Sequence, residues 1–195
     1  MKKLWIILGV IALVVIIVLM SFTGMYNSLV SAQENVNGKW AIVQDSYQRR
    51  LDLIPNLVTT VQEAADFEQE TLTQVTQLRS EAVSTSNQMG QAQNPQAVQA
   101  LAQEGNSVLT RFFAIMENYP TITATQNFRD LQVQLEGTEN RIKVARDNYN
   151  TAVQSYNAMI RRFPTNIIAG MFGFEREEFF EADPGADVVP EVNFE

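Results

Sequence analysis

From Leu4 to Met20 the chain carries no charged residue and no amide or hydroxyl side chain, and Ser21 and Phe22 extend this stretch to 19 residues. As a helix rising roughly 1.5 Å per residue it covers about 28 Å, close to the roughly 30 Å hydrocarbon core of a bilayer. Ile, Val and Leu dominate it, and Gly9 is its only glycine. A soluble core helix is a poor match, because nothing downstream could surround so uniform an apolar rod. A cleaved signal peptide is the nearer rival, since the start is basic. Its apolar region would normally run about 7–15 residues and end in a small-x-small site. Ser21-Phe22-Thr23-Gly24-Met25-Tyr26 offers no clear one. The stretch therefore reads as an uncleaved transmembrane helix over residues 4–22. With no cysteine in the chain, a lipid cannot substitute for it.

Flanking charge sets the expected orientation. Lys2 and Lys3 precede the stretch, whereas the first basic residue after it is Lys39. Positive flanks stay in the cytoplasm, so residues 1–3 are expected there and the main domain on the other side. The formal net charge is -8, from 14 basic and 22 acidic residues. A surface of that sign repels nucleic acid, which is not expected as a partner. Cysteine and histidine are both absent. That removes disulfides, Cys/His zinc sites and every catalytic triad needing either residue, and no cofactor is expected.

Beyond the anchor, four segments carry a helical period. The first spans about Tyr26–Ala65. Its seam is Tyr26, Val30, Gln33, Asn37, Trp40, Gln44, Tyr47, Leu51, Ile54, Val58 and Val61, widened by Leu29, Val36, Val43 and Leu57. Pro55 is expected to bend or interrupt it. A weaker segment spans about Phe67–Gln88. The third spans Gln96–Tyr119, with Asn94 as its cap, Pro95 in its first turn, Gly105 as a mild breaker and Pro120 as its stop. The fourth, Thr125–Phe163, has the clearest stripe: Phe128, Leu131, Leu135, Ile142, Ala145, Tyr149, Val153, Tyr156, Ile160 and Phe163. The expected fold is all-α: a transmembrane helix, then an elongated antiparallel four-helix bundle with an ordered C-terminal extension. The bundle domain is expected over residues 23–183 and an acidic tail over 184–195. In the extension Ile167, Ile168, Met171, Phe172, Phe174, Phe179 and Phe180 are too crowded for a disordered tail and read as a strap laid on the bundle. Gly170 and Gly173 would supply its turns.

These residues carry a family likeness. Tyr26-Asn27-Ser28-Leu29-Val30, Trp40, Arg49-Arg50-Leu51-Asp52-Leu53-Ile54-Pro55-Asn56-Leu57-Val58 and Glu70 begin it. Glu117-Asn118-Tyr119-Pro120, Phe128, Leu131, Leu135, Glu136 and Glu139 continue it, and Arg146-Asp147-Asn148-Tyr149-Asn150, Tyr156-Asn157, Phe163-Pro164, Gly173-Phe174 and Phe179-Phe180-Glu181 close it. The chain resembles the LemA family of bacterial membrane proteins over nearly all of its soluble part. Family members often have a tyrosine and a histidine where this chain reads Ala64-Ala65-Asp66-Phe67-Glu68, so no role of that histidine carries over. The resemblance implies a membrane segment, a long helical bundle and a bacterial cell-membrane setting. It implies no established reaction.

Three polar groups stand out. Arg49, Arg50 and Asp52 share one helical turn and read either as a docking patch for an acidic partner or, more simply, as an internal salt-bridge network. Glu136, Glu139 and Arg146 on the fourth helix are its natural complement. Carboxylates Glu70, Glu104, Glu136 and Glu139 invite a di-iron reading, but such sites also use Glu-x-x-His pairs and this chain has no histidine. The Tyr-Asn pairs at Tyr149 and Tyr156 lie seven apart on one stripe, where the amides could bond across helices. The expected function is a membrane-anchored helical scaffold or interaction domain, rather than an enzyme. Its partners would be the bilayer and a protein, a second copy of this chain included. The alternative is a hydrolase or lyase at the membrane surface that uses acidic residues alone and needs a carboxylate buried in a pocket.

Overall fold

The computed structural model describes residues 2–64 and 68–181, and among them there is no strand. Phe67 and the tail 184–195 lie outside the described residues. Six helices follow in order: α1 Lys2–Ala64, α2 Gln69–Met89, α3 Pro95–Met116, α4 Pro120–Thr123, α5 Gln126–Arg161 and α6 Thr165–Phe172. An extended segment, residues 174–181, completes the described chain.

The apolar stretch and the first bundle helix are one continuous α1 of 63 residues. Its N-terminal apolar stretch is long enough to cross a membrane, and none of it is buried within the protein. From Leu4 to Met20 every large apolar side chain is at least 49% exposed, whereas Leu29, Val36 and Val43 just beyond are buried. Pro55 sits inside α1 without interrupting it, so of the bend or interruption expected from the missing N–H the interruption does not occur. Leu51, Ile54, Leu57 and Val58 around it are almost fully buried. Their packing holds the helix across the lost hydrogen bond.

α1 is the hub, touching α2, α3, α5 and α6. Its two halves have different company. Gln62 reaches Thr76, Asp52 reaches Ser86 and Gln44 reaches Met89, so α2 runs antiparallel to α1 over its distal half. Gln44 donates to the carbonyls of Met89 and Ala92 at 3.2 and 2.8 Å, supplying partners that the end of α2 lacks. α5 follows α1 along most of the domain, with Arg50 opposite Glu139 and Trp40 against Tyr149. Nearer the anchor the core stripe of α1 is Leu29, Val36 and Val43. The expected seam residues Val30, Gln33, Trp40 and Gln44 are half-buried there and Asn37 is exposed. The α2–α3 hairpin ends at about this level, so the polar positions fall on a flank.

Local signals set most boundaries. Asn94 caps α3 by accepting from the Ala97 N–H at 2.8 Å, with Pro95 at the first position. Thr125 caps α5 through Phe128. Gly105 breaks nothing: it is buried in α3, and a methyl there would overlap Leu51 Cδ2. Its lack of a side chain lets α3 approach α1. α3 stops at Met116, ahead of the expected Tyr119, and Pro120 opens α4. The strap is half helix. Gly170 lies inside α6, and Gly173 (φ 73°) makes the turn, with Phe174 N–H donating back to Ala169 at 3.0 Å.

Candidate functional site

The most organised polar site is the seam between α5 and the strap. Asn150 and Asn157 project from α5 seven residues apart. The Asn157 amide donates to the Glu177 carbonyl at 2.8 Å, and its oxygen accepts from the Glu177 N–H at 3.0 Å. Asn150 does the same to Phe180, at 3.1 and 2.9 Å. Each side chain thus imitates a neighbouring strand. Their spacing explains why both fit. Two helical turns rise about 10.5 Å, and three extended residues cover about 10 Å. The strap runs antiparallel to α5 and meets a matching amide at each end of that interval.

Two further α5 side chains continue the seam. Tyr149 donates its hydroxyl to the Glu178 carbonyl at 3.0 Å, and Arg146 donates to the Glu181 carbonyl at 2.7 Å. The Phe180 ring, only 4% exposed, is stacked on Trp40, edge-on to Tyr149 and beneath the Arg146 guanidinium. Trp40 is thereby a contact of α1 with the extended end of the strap, as Tyr26 is with Phe172 and Phe174. The Tyr156 hydroxyl, one repeat away, is buried without a hydrogen-bond partner among the described residues.

Burial, reinforced by Glu177 and Glu178, pushes the Tyr149 hydroxyl up to about 12. Tyr156 moves the same way for the same leading cause. A folded-state value above that of free tyrosine, about 10, stabilises the docked form fully below about pH 10 and is lost as pH rises through about 12. The seam is therefore expected to open in strong alkali. The tyrosinate absorbance difference between the wild-type chain and Tyr149→Phe should titrate near pH 12, and near pH 10 once residues 174–195 are removed. Titration near pH 10 in the intact chain would contradict the docked hydroxyl.

The six polar residues singled out in the sequence do not form one network. Arg50 forms an ion pair with Glu139 across α1 and α5. Glu136 lies in the same open groove with Asn106, Leu109 and Phe113 of α3. Asp52 faces the other way and accepts from the Ser86 hydroxyl of α2 at 2.6 Å. Arg49 is exposed beside Asp45 and Arg141 in a second groove, and Arg146 on α5 donates to the strap. A further ion pair, Arg111 with Glu81 between α3 and α2, had no sequence signal; the guanidinium holds that carboxyl below its usual range. Of the seven apolar strap residues, Ile168 and Phe180 are buried and Phe174 is half-buried. Ile167, Met171, Phe172 and Phe179 are exposed.

Chemically, the seam is built for holding polypeptide backbone. Glu70, Glu104, Glu136 and Glu139 are all exposed, Glu136 and Glu139 at the open groove beside Arg50, so none of them is the buried carboxylate that the acid-based hydrolase or lyase would need. Among the described residues no three carboxylates gather as metal ligands.

Comparison with known proteins adds the following. The model of the LemA family matches residues 39–194. Magnetosome protein MamQ 2 of Paramagnetospirillum magneticum is 28% identical over 181 residues, covering 83% of this chain and 66% of that protein. MamQ of Magnetospirillum gryphiswaldense is 25% identical over 189 residues, covering 86% and 70%. Protein LemA of Metamycoplasma hominis is 25% identical over 161 residues, covering 83% and 71%. The chain spans just under two thirds of the first relative's length.

Proposed function

This chain belongs to the LemA family, and we propose that it acts as a single-pass, membrane-anchored helical scaffold that holds a protein partner at a set distance from the bilayer. The observation that carries this reading is the unbroken α1. One helix supplies both the apolar span and the core residues Leu29, Val36, Val43, Leu51 and Ile54. A flexible linker would let a tethered domain wander, whereas a continuous helix fixes its distance and direction. The 42 residues beyond Phe22 rise about 63 Å. In this reading α1, α2, α3 and α5 form an elongated antiparallel four-helix bundle in a bacterial cell membrane, N-terminus cytoplasmic and bundle extracytoplasmic.

Two experiments test it. Protease added to intact spheroplasts is expected to digest the bundle; protection until lysis would reverse the orientation, which rests on Lys2 and Lys3. For the partner, the groove floored by Arg50 and flanked by Glu136, Glu139 and Asn106 offers a polar face. Full-length chain solubilised from native membranes should retain a defined protein that Glu136→Lys loses while keeping its helical content. Recovery of no specific protein would count against the scaffold.

A further inference from the structure

We infer that α6 is a second membrane contact, a short helix lying in the headgroup zone beside the span with its outer apolar stripe against lipid. This rests on residues 4–22 being the anchor. α6 places Ile168 and Ala169 inward, while Ile167 and Met171, four residues apart, face outward. They are 51% and 66% exposed, and Phe163 in the turn just ahead of the helix is 80% exposed. Large apolar side chains gathered outward at so short an element need a cover.

The height of α6 identifies the cover. The Phe172 ring packs on Phe22, the last residue of the apolar stretch, at 6.2 Å, and on Tyr26 at 4.8 Å. Headgroup zones add roughly 5–7 Å to each side of the hydrocarbon core, or about four residues of a helix along the normal. A ring touching Phe22 and Tyr26 is therefore within that zone. Ile167 and Met171, on the same two-turn helix, lie within about 8 Å of it along the axis.

The basic residues agree. In sequence no Lys/Arg cluster follows the span. In the fold, the register set by Trp40 with Tyr149 and Arg50 with Glu139 continues down α5. It brings Arg161 and Arg162, both exposed, level with about Ser28 and Asn27, roughly 8–9 Å past Phe22 and so just above the headgroup zone, within reach of it for long side chains. Apolar side chains toward the acyl boundary with basic ones above them is the arrangement of an interfacial contact. Aromatic residues at that height fit too, and Trp5 marks the opposite end of the span.

The chain has no cysteine, so single labels can be placed without background. The full-length protein would carry a nitroxide at Leu13→Cys, Ile167→Cys, Met171→Cys or Val133→Cys in vesicles of phosphatidylethanolamine and phosphatidylglycerol. All four positions are exposed, so the labels displace no core atom. The ratio of accessibility to oxygen over a water-soluble nickel chelate is expected to be several-fold higher at Ile167 and Met171 than at Val133 on the distal bundle. Leu13 should be higher still. If Leu13 reads as lipid while Ile167 and Met171 match Val133, the inference is overturned and the anchor stands. Labels at Ile167 and Met171 shielded from both reagents and coupled to each other between chains would assign the stripe to a second copy, which also overturns it. Leu13 in water would overturn anchor and inference together.

Discussion

Replacing Asn150 and Asn157 together by alanine is expected to release residues 174–181 from α5. Four hydrogen bonds to strap backbone are lost at roughly 1 kcal/mol each, about 4 kcal/mol in all. At 1.4 kcal/mol per factor of ten, the amides of Glu177 and Phe180 should exchange their hydrogens nearly a thousandfold faster. The single variants share one strap and should not be additive, since losing either clamp frees the segment between them. Asn157→Asp keeps the acceptor, loses the donor and should fall between. Amides in the middle of α2 and α3 should keep their protection, because the strap's hydrogen bonds named above go to α5, its ring contacts to α1 and α5, and beyond these it adjoins the α2–α3 turn at Gln93, Asn94 and Pro95. Unchanged exchange at Glu177 and Phe180 in the double variant would show that the amides do not hold the strap.

Deleting residues 2–22 is expected to have the largest effect on where the protein is. Fifteen large apolar side chains between Leu4 and Met20 are about half exposed or more. Covering them with lipid at roughly 1.5–3 kcal/mol per fully buried side chain gives a gross gain of 20 kcal/mol or more. The full chain should therefore stay in the membrane pellet through an alkaline carbonate wash. The deleted form should leave it almost completely while keeping most of its helical content, because the side chains from Leu4 to Met20 are exposed and the span meets the bundle core only through its last residue, Phe22. α6 alone is a single weak signal and cannot replace the anchor. Undiminished retention of the deleted form would contradict the anchor assignment.

Both expectations draw on features the sequence displays unevenly. The long apolar stretch, the helical class, the Asn94-Pro95 start of α3 and the stripe of α5 from Phe128 to Ile160 were legible because periodicity and capping are local; Phe163, expected to end that stripe, lies past the helix and is exposed. Pro55 does not interrupt α1 because local propensity is overridden where Leu51, Ile54, Leu57 and Val58 are buried around it. The Arg49, Arg50 and Asp52 turn was partly legible: its cross-helix ion pair is made by Arg50, while Arg49 and Asp52 go elsewhere for a geometric reason. Consecutive helical positions point about 100° apart, so neighbours in sequence face different helices. Arg50 therefore meets Glu139, Asp52 meets Ser86 and Arg49 points outward.

The strap was visible as an apolar cluster, but its fastening was not. Asn150 and Asn157 bond to backbone 20 to 30 residues further along the chain. Backbone acceptors have no sequence identity by which a partner could be recognised. The useful trace was the repeat of Tyr-Asn seven residues apart. It suggested bonds between helices and turned out to grip an extended segment instead. Likewise, Ile167 and Met171 promised burial as apolar residues, yet the helical phase that buries Ile168 turns them outward.

The central claim is that α1 runs unbroken from the bilayer to the far end of the bundle, and height above the membrane tests it most directly. Glu63 is exposed one residue before the described end of α1. A donor dye on Glu63→Cys, in the full-length chain reconstituted into vesicles with acceptor-labelled lipid headgroups, reads that height by energy transfer. A continuous helix along the membrane normal places the donor about 60 Å above the end of the span. With a dye pair of much shorter range, transfer should be close to nil. Strong transfer, as from a bundle folded down onto the bilayer, would contradict it.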